Sequence, residues 1–128
     1  MRKKFLLVTF VIALVLLTSL QIGFKNLEAV ADTQAPEITS LSADPETVGF
    51  GFNVSITPTV TDDLSGVNCV KINITFPDAT FENFTMDKIR ENSYKYEFSD
   101  TWHTGQYNYT VWAVDNASNA NLSSQEPV

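Results

Sequence analysis

Apolar and polar residues alternate along most of the chain beyond residue 37, in short runs separated by turn-forming residues. In one run, Val54, Ile56, Pro58 and Val60 occupy every second position, and polar residues stand between them. A period of two is typical of a β-strand with one buried face, whereas a helix would repeat every 3.6 residues. Further runs of this kind follow over residues 69–76, 94–98 and 107–114. The pattern predicts an all-β domain of six to seven strands.

The phase of the alternation predicts which side chains face the core. Because each strand has a single apolar side, its sheet must pack against a second sheet, which predicts an antiparallel β-sandwich. Asn53, Asn73 and Asn108 fall on the opposite phase, and we expect them to be exposed. The side chains predicted to be buried are Val54, Ile56, Val70, Ile72, Ile74, Tyr94, Tyr96, Tyr107, Tyr109 and Val111.

The first 31 residues differ from the rest. Basic residues at positions 2–4 precede an uncharged stretch over residues 5–24, and Ala29-Val30-Ala31 follows with small side chains. This order predicts a hydrophobic signal helix within a signal peptide over residues 1–31, cleaved after Ala31. The alternative is an uncleaved anchor that contacts the membrane through residues 5–24, since about 20 apolar residues span a bilayer. Either interpretation predicts an extracellular location, secreted or at the cell surface.

Three motifs resemble the immunoglobulin-like and fibronectin-type-III-like repeats of bacterial and archaeal surface proteins. They are an Asp-Thr-x-x-Pro linker at residues 32–36, a Val-x-Asp-x-x-Ser-Gly-Val turn at 60–67 and a Gly-x-Tyr-x-Tyr-x-Val-x-Ala-x-Asp strand at 105–115. Ser118 stands where these repeats usually have Gly.

The resemblance implies an immunoglobulin-like sandwich over residues 37–128 and a tyrosine corner at Tyr107. It also implies a structural spacer or an adhesion or binding module, with neighbouring immunoglobulin-like domains or other surface proteins as partners.

Charge and composition narrow the function classes. From Asp32 onward there are 14 acidic and four basic residues, a net charge of −10. Such a domain repels phosphate, so nucleic acid is not an expected partner. His103 is the only histidine and Cys69 the only cysteine, and no spacing suggests a nucleophile with its base. We therefore expect a protein that is not an enzyme.

Six Asn-x-Ser/Thr sequons predict a glycoprotein, provided that the host has the machinery. Part of this number has a simpler explanation, because polar residues two apart on the outer side of a strand produce Asn-x-Thr by alternation alone. The candidate acceptors are Asn53, Asn73, Asn83, Asn108, Asn116 and Asn121.

Two turns carry oxygen ligands. Asp62 and Asp63 lie in one turn, and Asp115 and Asn119 in the other. The resemblance brings both turns to the end of the sandwich where the chain enters, near Asp32. Carboxylates gathered there could hold calcium, the one cofactor that the sequence suggests. The alternative is that Asp and Asn are ordinary turn residues.

Two tryptophans are candidate ligand contacts. Trp112 falls on the polar phase of its strand, and Trp102 lies in the turn before it. An exposed Trp can stack on a sugar, so a carbohydrate-binding module is the alternative function. A further alternative is an accessory domain of a longer secreted enzyme.

The last strand is predicted to be short or missing. After Asn119 the large apolar residues are Leu122 and Val128 alone, and Pro127 interrupts the segment. We therefore expect the strand over residues 107–114 to expose an unpaired edge. Two explanations are open: the chain is a piece of a longer protein, which we favour, or another chain donates the strand.

Overall fold

The computed structural model describes residues 29–128, and these residues form an all-β structure. Within this range, no helix is long and apolar enough to cross a membrane. The predicted signal peptide or anchor falls almost entirely on residues 1–28, outside the described residues. The strands are β1 Glu37–Thr39, β2 Ala43–Asp44, β3 Val54–Ile56, β4 Thr59–Thr61, β5 Val67–Thr75, β6 Phe81–Thr85, β7 Asp87–Lys88, β8 Tyr94–Phe98, β9 Asn108–Asp115, β10 Ala120–Leu122 and β11 Glu126–Pro127.

All strand pairs are antiparallel and make up a β-sandwich-like arrangement. One sheet has the order β2-β3-β8-β7, and the other has the order β10-β9-β5-β6, with β11 also paired to β9. A third pair, β1 with β4, extends the first sheet, because β4 continues β3 beyond Pro58. Proline has no N–H for the ladder, but the Pro58 carbonyl still accepts the Tyr94 N–H at 3.1 Å. The proline therefore divides one long strand into two.

The core lies between the two larger sheets and follows the predicted alternation. Nine of the ten side chains predicted to be buried are buried. Tyr96 is only half-buried, since it stacks at 4.7 Å on Phe84 of β6, a strand at the sheet edge. Asn53 is exposed as predicted, whereas Asn73 and Asn108 are half-buried because neighbouring strands cover part of them.

Tyr107 fastens the loop that precedes β9. Its ring packs against Phe98 at 5.4 Å and Phe76 at 5.6 Å, and 3% of the residue is exposed. Its hydroxyl accepts the His103 N–H and donates to the His103 carbonyl, both at 3.0 Å. The predicted tyrosine corner therefore has the hydrogen bonds that such a corner requires.

The last strand is short and interrupted, but the expectation that the β9 edge is unpaired is wrong. Residues 120–122 and 126–127 both pair with β9. Between them, Ser123 donates its N–H to the Val111 carbonyl at 2.8 Å, and its hydroxyl accepts the Val111 N–H at 2.9 Å. Backbone pairing does not depend on apolar side chains. Pro127 does not interfere with this pairing. Val128 donates its N–H to the Tyr107 carbonyl, and backbone N–H groups alternate in direction along an antiparallel strand, so the nitrogen of Pro127 faces away from β9.

We predict that Tyr107→Phe lowers the free energy of unfolding by about 1–2 kcal/mol, because both His103 backbone groups lose their partner. Urea unfolding of the full chain measures the loss. Tyr94→Phe is the matched control. Its ring is equally buried, but its hydroxyl has no hydrogen bond among residues 29–128 and reaches solvent. A Tyr107→Phe variant as stable as Tyr94→Phe would contradict the tyrosine corner.

Candidate functional site

Three carboxylates meet at the end of the sandwich where the described chain enters. Oxygens of Asp32, Asp62 and Asp115 all lie within 4.8 Å of one another. Asp62 directly follows β4, Asp115 ends β9, and Asp32 precedes β1. Asp115 is fully buried, and the other two are half-buried. We call this group the acidic corner.

The acidic corner is hydrogen-bonded by N–H groups of its own turns. Asp32 accepts the N–H groups of Gln34 at 2.9 Å and Ser65 at 3.1 Å. Asp115 accepts the backbone N–H and the side-chain amide of Asn119, both at 2.8 Å. The Ser65 hydroxyl and the Gln34 N–H lower the pKa of Asp32, because they stabilise its charged form. The carboxylates of Asp32 and Asp115 are therefore held by donors from the two turns and by the N–H of Gln34, which lies before β1.

The structure brings most of the predicted metal ligands together and leaves one out. Asp62 and Asp115 belong to the corner, and Asn119 takes part as a hydrogen-bond donor to Asp115, whereas Asp63 is exposed and does not belong to the group. Successive residues in a turn point in different directions, so the pair of adjacent aspartates contributes one carboxylate. Asp32 completes the group instead, from a segment 30 residues earlier in the chain.

The corner also fixes the segment over residues 32–36, which was predicted to be a linker. Asn119 donates its side-chain amide to the Asp32 carbonyl at 3.2 Å, and Asn121 donates to the Pro36 carbonyl at 2.9 Å. Asn116 bridges the two turns by donating to the Ser65 and Gly66 carbonyls. The entry segment is thus bonded to the β9–β10 turn and the start of β10, while its Asp32 carboxylate reaches the β4–β5 turn.

These contacts divide the six sequons into two groups. The amide nitrogens of Asn73, Asn116 and Asn121 donate hydrogen bonds, whereas among residues 29–128 those of Asn53, Asn83 and Asn108 donate none. Asn73 and Asn83 are also direct partners across β5 and β6, with the Asn73 amide 3.0 Å from the Asn83 oxygen. The predicted acceptors are therefore not equivalent.

The two tryptophans lie on different surfaces. Trp112 is on the outer side of β9, opposite Leu122 and with the Lys71 ammonium 5.8 Å from its ring. Trp102 lies in the loop between β8 and β9, where its ring contacts Gly51 and meets Phe50 edge-on at 5.1 Å. They do not form one ligand site.

Sequence reasoning missed the partners of Trp102. Gly49-Phe50-Gly51-Phe52 does not belong to a buried strand, so burial in the core does not account for its two aromatic residues. Phe50 and Phe52 are both exposed. Aromatic residues alternating with glycines in a predicted loop were the available signal.

We predict weak calcium binding at the acidic corner, because internal donors already occupy part of each carboxylate. Half-saturation is expected near about 1 mM, the range of extracellular modules. Calcium should raise the melting temperature of the full chain, since it binds only the folded state. Asp62→Asn should abolish the shift, and Asp63→Asn, the matched control, should retain it. An unchanged melting temperature at about 10 mM calcium would remove the site.

We predict that glycosylation in a competent host favours Asn53 and leaves Asn116 and Asn121 nearly unmodified. Attachment replaces an amide hydrogen, and the latter two amides are bonded to carbonyls of neighbouring segments. Asn73 and Asn83 should not be modified in the same molecule, since paired cross-strand side chains stand about 5 Å apart. Glycopeptide mass spectrometry measures the occupancies. Equal occupancy at Asn53 and Asn116 would contradict the prediction.

The chain was compared with family models and with curated proteins. No family model matches it, and no curated protein matches it.

Proposed function

We propose that residues 32–128 form a non-catalytic, extracellular immunoglobulin-like module that serves as a structural spacer or an adhesion domain of a secreted or surface protein. Its partners would be neighbouring immunoglobulin-like domains or other surface proteins. The observation that carries the proposal is the order of the strands in the two sheets. The role of an accessory domain in a longer secreted enzyme stays an alternative prediction.

The strand order supports the immunoglobulin-like assignment. In such sandwiches the first, second and fifth strands share one sheet, and the third, sixth and seventh share the other. This chain follows that order when β1 with β2 counts as the first strand, β3 with β4 as the second and β10 with β11 as the last, and when β6 is set aside as an additional strand. The third strand is then β5, the fourth β7, the fifth β8 and the sixth β9. The outer strand β6 beside β5 corresponds to the extra strand of fibronectin-type-III-like domains.

Two local features agree with the resemblance. The hydroxyl of Tyr107 bonds to the backbone four residues upstream, as in a tyrosine corner. Ser118 has a φ of 73°, a left-handed conformation that favours glycine, and glycine is what the resembling repeats usually have there. Position 118 therefore differs from these repeats in its residue type, serine in place of glycine, but has the backbone conformation that glycine favours.

The fixed entry segment favours the spacer role. A module that holds its neighbours at a set distance needs an entry that does not swivel. Here Asp32 and Pro36 are bonded to Asn119 and Asn121, and the Asp32 carboxylate accepts the Ser65 N–H. Residues 32–36 are thus bonded to the end of the domain at which the acidic corner lies.

Export from the cytoplasm is the part of this proposal that can be tested directly. We predict that the full coding sequence, expressed in its host, yields protein outside the cytoplasm whose N-terminus is Asp32, because Ala29-Val30-Ala31 provides small residues at a signal peptidase site. N-terminal mass spectrometry of medium and intact-cell fractions measures this. Ala31→Phe is the matched variant, which should be exported but remain uncleaved.

Protein that begins at Met1 in the membrane fraction would show that residues 1–31 are an uncleaved anchor and not a cleaved signal peptide. The proposal of an extracellular module would stand. Protein retained in the cytoplasm would overturn the proposal.

A further inference from the structure

Trp102 is an exposed platform at the sandwich end opposite the acidic corner. Gly51 has a φ of 78°, and a Cβ there would lie 2.4–3.0 Å from three atoms of the Trp102 six-membered ring. Distances this short and this similar mean that the ring lies over the Gly51 backbone by one of its faces. The residue is nevertheless 56% exposed. More than half of the Trp102 surface is therefore available to a ligand, although Gly51 and Phe50 both pack against the ring.

The platform is held rigidly. Gly51 donates its N–H to the Thr101 carbonyl at 3.2 Å, and the Thr101 hydroxyl donates to the Phe52 carbonyl at 2.7 Å. Thr101 is almost completely buried, so this link is protected from water. Phe50 supports the indole edge-on, and Phe52 beside it is 70% exposed. These hydrogen bonds fix the loop before β3 to the loop between β8 and β9. The exposed aromatic side chains are therefore held in defined positions.

A groove of about 790 Å³ lies between the β2 and β11 sides of the sandwich, and Phe50 is one of its lining residues. Trp102 does not line this groove itself but adjoins it through its contact with Phe50. This volume is within the range of small-molecule sites, about 300–1,000 Å³. Its walls combine aromatic rings such as Tyr107 with polar side chains. The polar residues include Glu46, Thr104, Gln106 and Glu126, and neither lysine nor arginine is among the lining residues of the described chain.

We propose that the Trp102 platform and this groove bind a short, neutral oligosaccharide. The carbon–hydrogen face of a sugar ring packs on an exposed indole, and hydroxyls around its rim bond to carboxylate, hydroxyl and amide groups such as those in the groove. The lack of lysine and arginine among the described lining residues, of which His103 is one, opposes phosphate and sulfated ligands together with the net charge of −10 from Asp32 onward. The polar walls oppose a purely apolar ligand. This binding site does not depend on the proposed spacer role, and Trp112 is not part of it.

The test uses the full chain and linear neutral hexasaccharides of N-acetylglucosamine, glucose, xylose and mannose, measured by titration calorimetry and tryptophan fluorescence. At least one should bind with a Kd of about 1 mM or tighter. Trp102→Ala should weaken binding at least about tenfold, and Glu46→Gln should weaken it less. Trp112→Ala is the matched control, because it removes the other exposed indole and should leave the Kd unchanged. Circular dichroism melting shows that each variant is folded.

Three results would overturn the proposal. The first is the absence of binding by any of the hexasaccharides at about 10 mM. The second is equal weakening by Trp102→Ala and Trp112→Ala. The third is binding of a proline-rich peptide, the other common ligand of exposed aromatic grooves, without binding of any hexasaccharide. An N-terminus at Asp32 in the export experiment would leave each of these results unchanged, so the two proposals fail separately.

Discussion

The pairing of β5 with β9 connects the core, the outer surface and both ends of the molecule. These are the two longest strands, and they are in register from Cys69 opposite Val114 to Thr75 opposite Asn108. Their inward side chains include Ile72, which is fully buried opposite Val111. Because side chains alternate between the two faces, a slip of one residue would exchange these for the polar set. The pairing therefore determines at once which residues stabilise the sandwich and which meet the outside.

The same pairing determines which chemistry appears at each end. β9 ends at Asp115, whose buried carboxylate joins the acidic corner. At its beginning, Tyr107 ties down the loop that carries Trp102. The β5 end near Thr75 leads to Pro77, which leaves no room for a side chain at Gly105 of that loop. The candidate sites are thus placed at opposite ends of one strand pair, about 25 Å apart by the rise of eight residues.

Much of the fold could be predicted because a period of two is a local property of the sequence. Ile72 and Val111 are buried for the reason that the pattern indicated, and the half-burial of Tyr96 depends on Phe84, a contact across the two sheets that no periodicity reveals. The β10–β11 edge was mispredicted for a related reason. Its pairing is carried by backbone groups and by the Ser123 hydroxyl, whereas the sequence argument counted apolar side chains.

The candidate site was less predictable, since it depends on where separate turns meet. Asp62 and Asp63 are equivalent in sequence, yet only Asp62 reaches Asp115. The resemblance implied that the two turns meet near Asp32, but that the Asp32 carboxylate itself joins Asp62 and Asp115 is visible only once the strands have paired. Trp102 was a candidate ligand contact from the sequence, but its packing on Gly51 was not predictable, because the indole lies where a side chain at Gly51 would have its Cβ.

Charge explains why interaction is more plausible at the Trp102 end than at the acidic corner. The carboxylates of the acidic corner already accept hydrogen bonds from Gln34, Ser65 and Asn119. Fewer of their lone pairs are therefore free to bind a partner. The surrounding domain is strongly acidic, and one ion pair, Lys95 with Glu97, is present among residues 29–128. Such a domain attracts cationic partners only, and screening in salt reduces that attraction. Stacking on an aromatic face does not depend on net charge, and Trp102 stays 56% exposed although Phe50 packs against it.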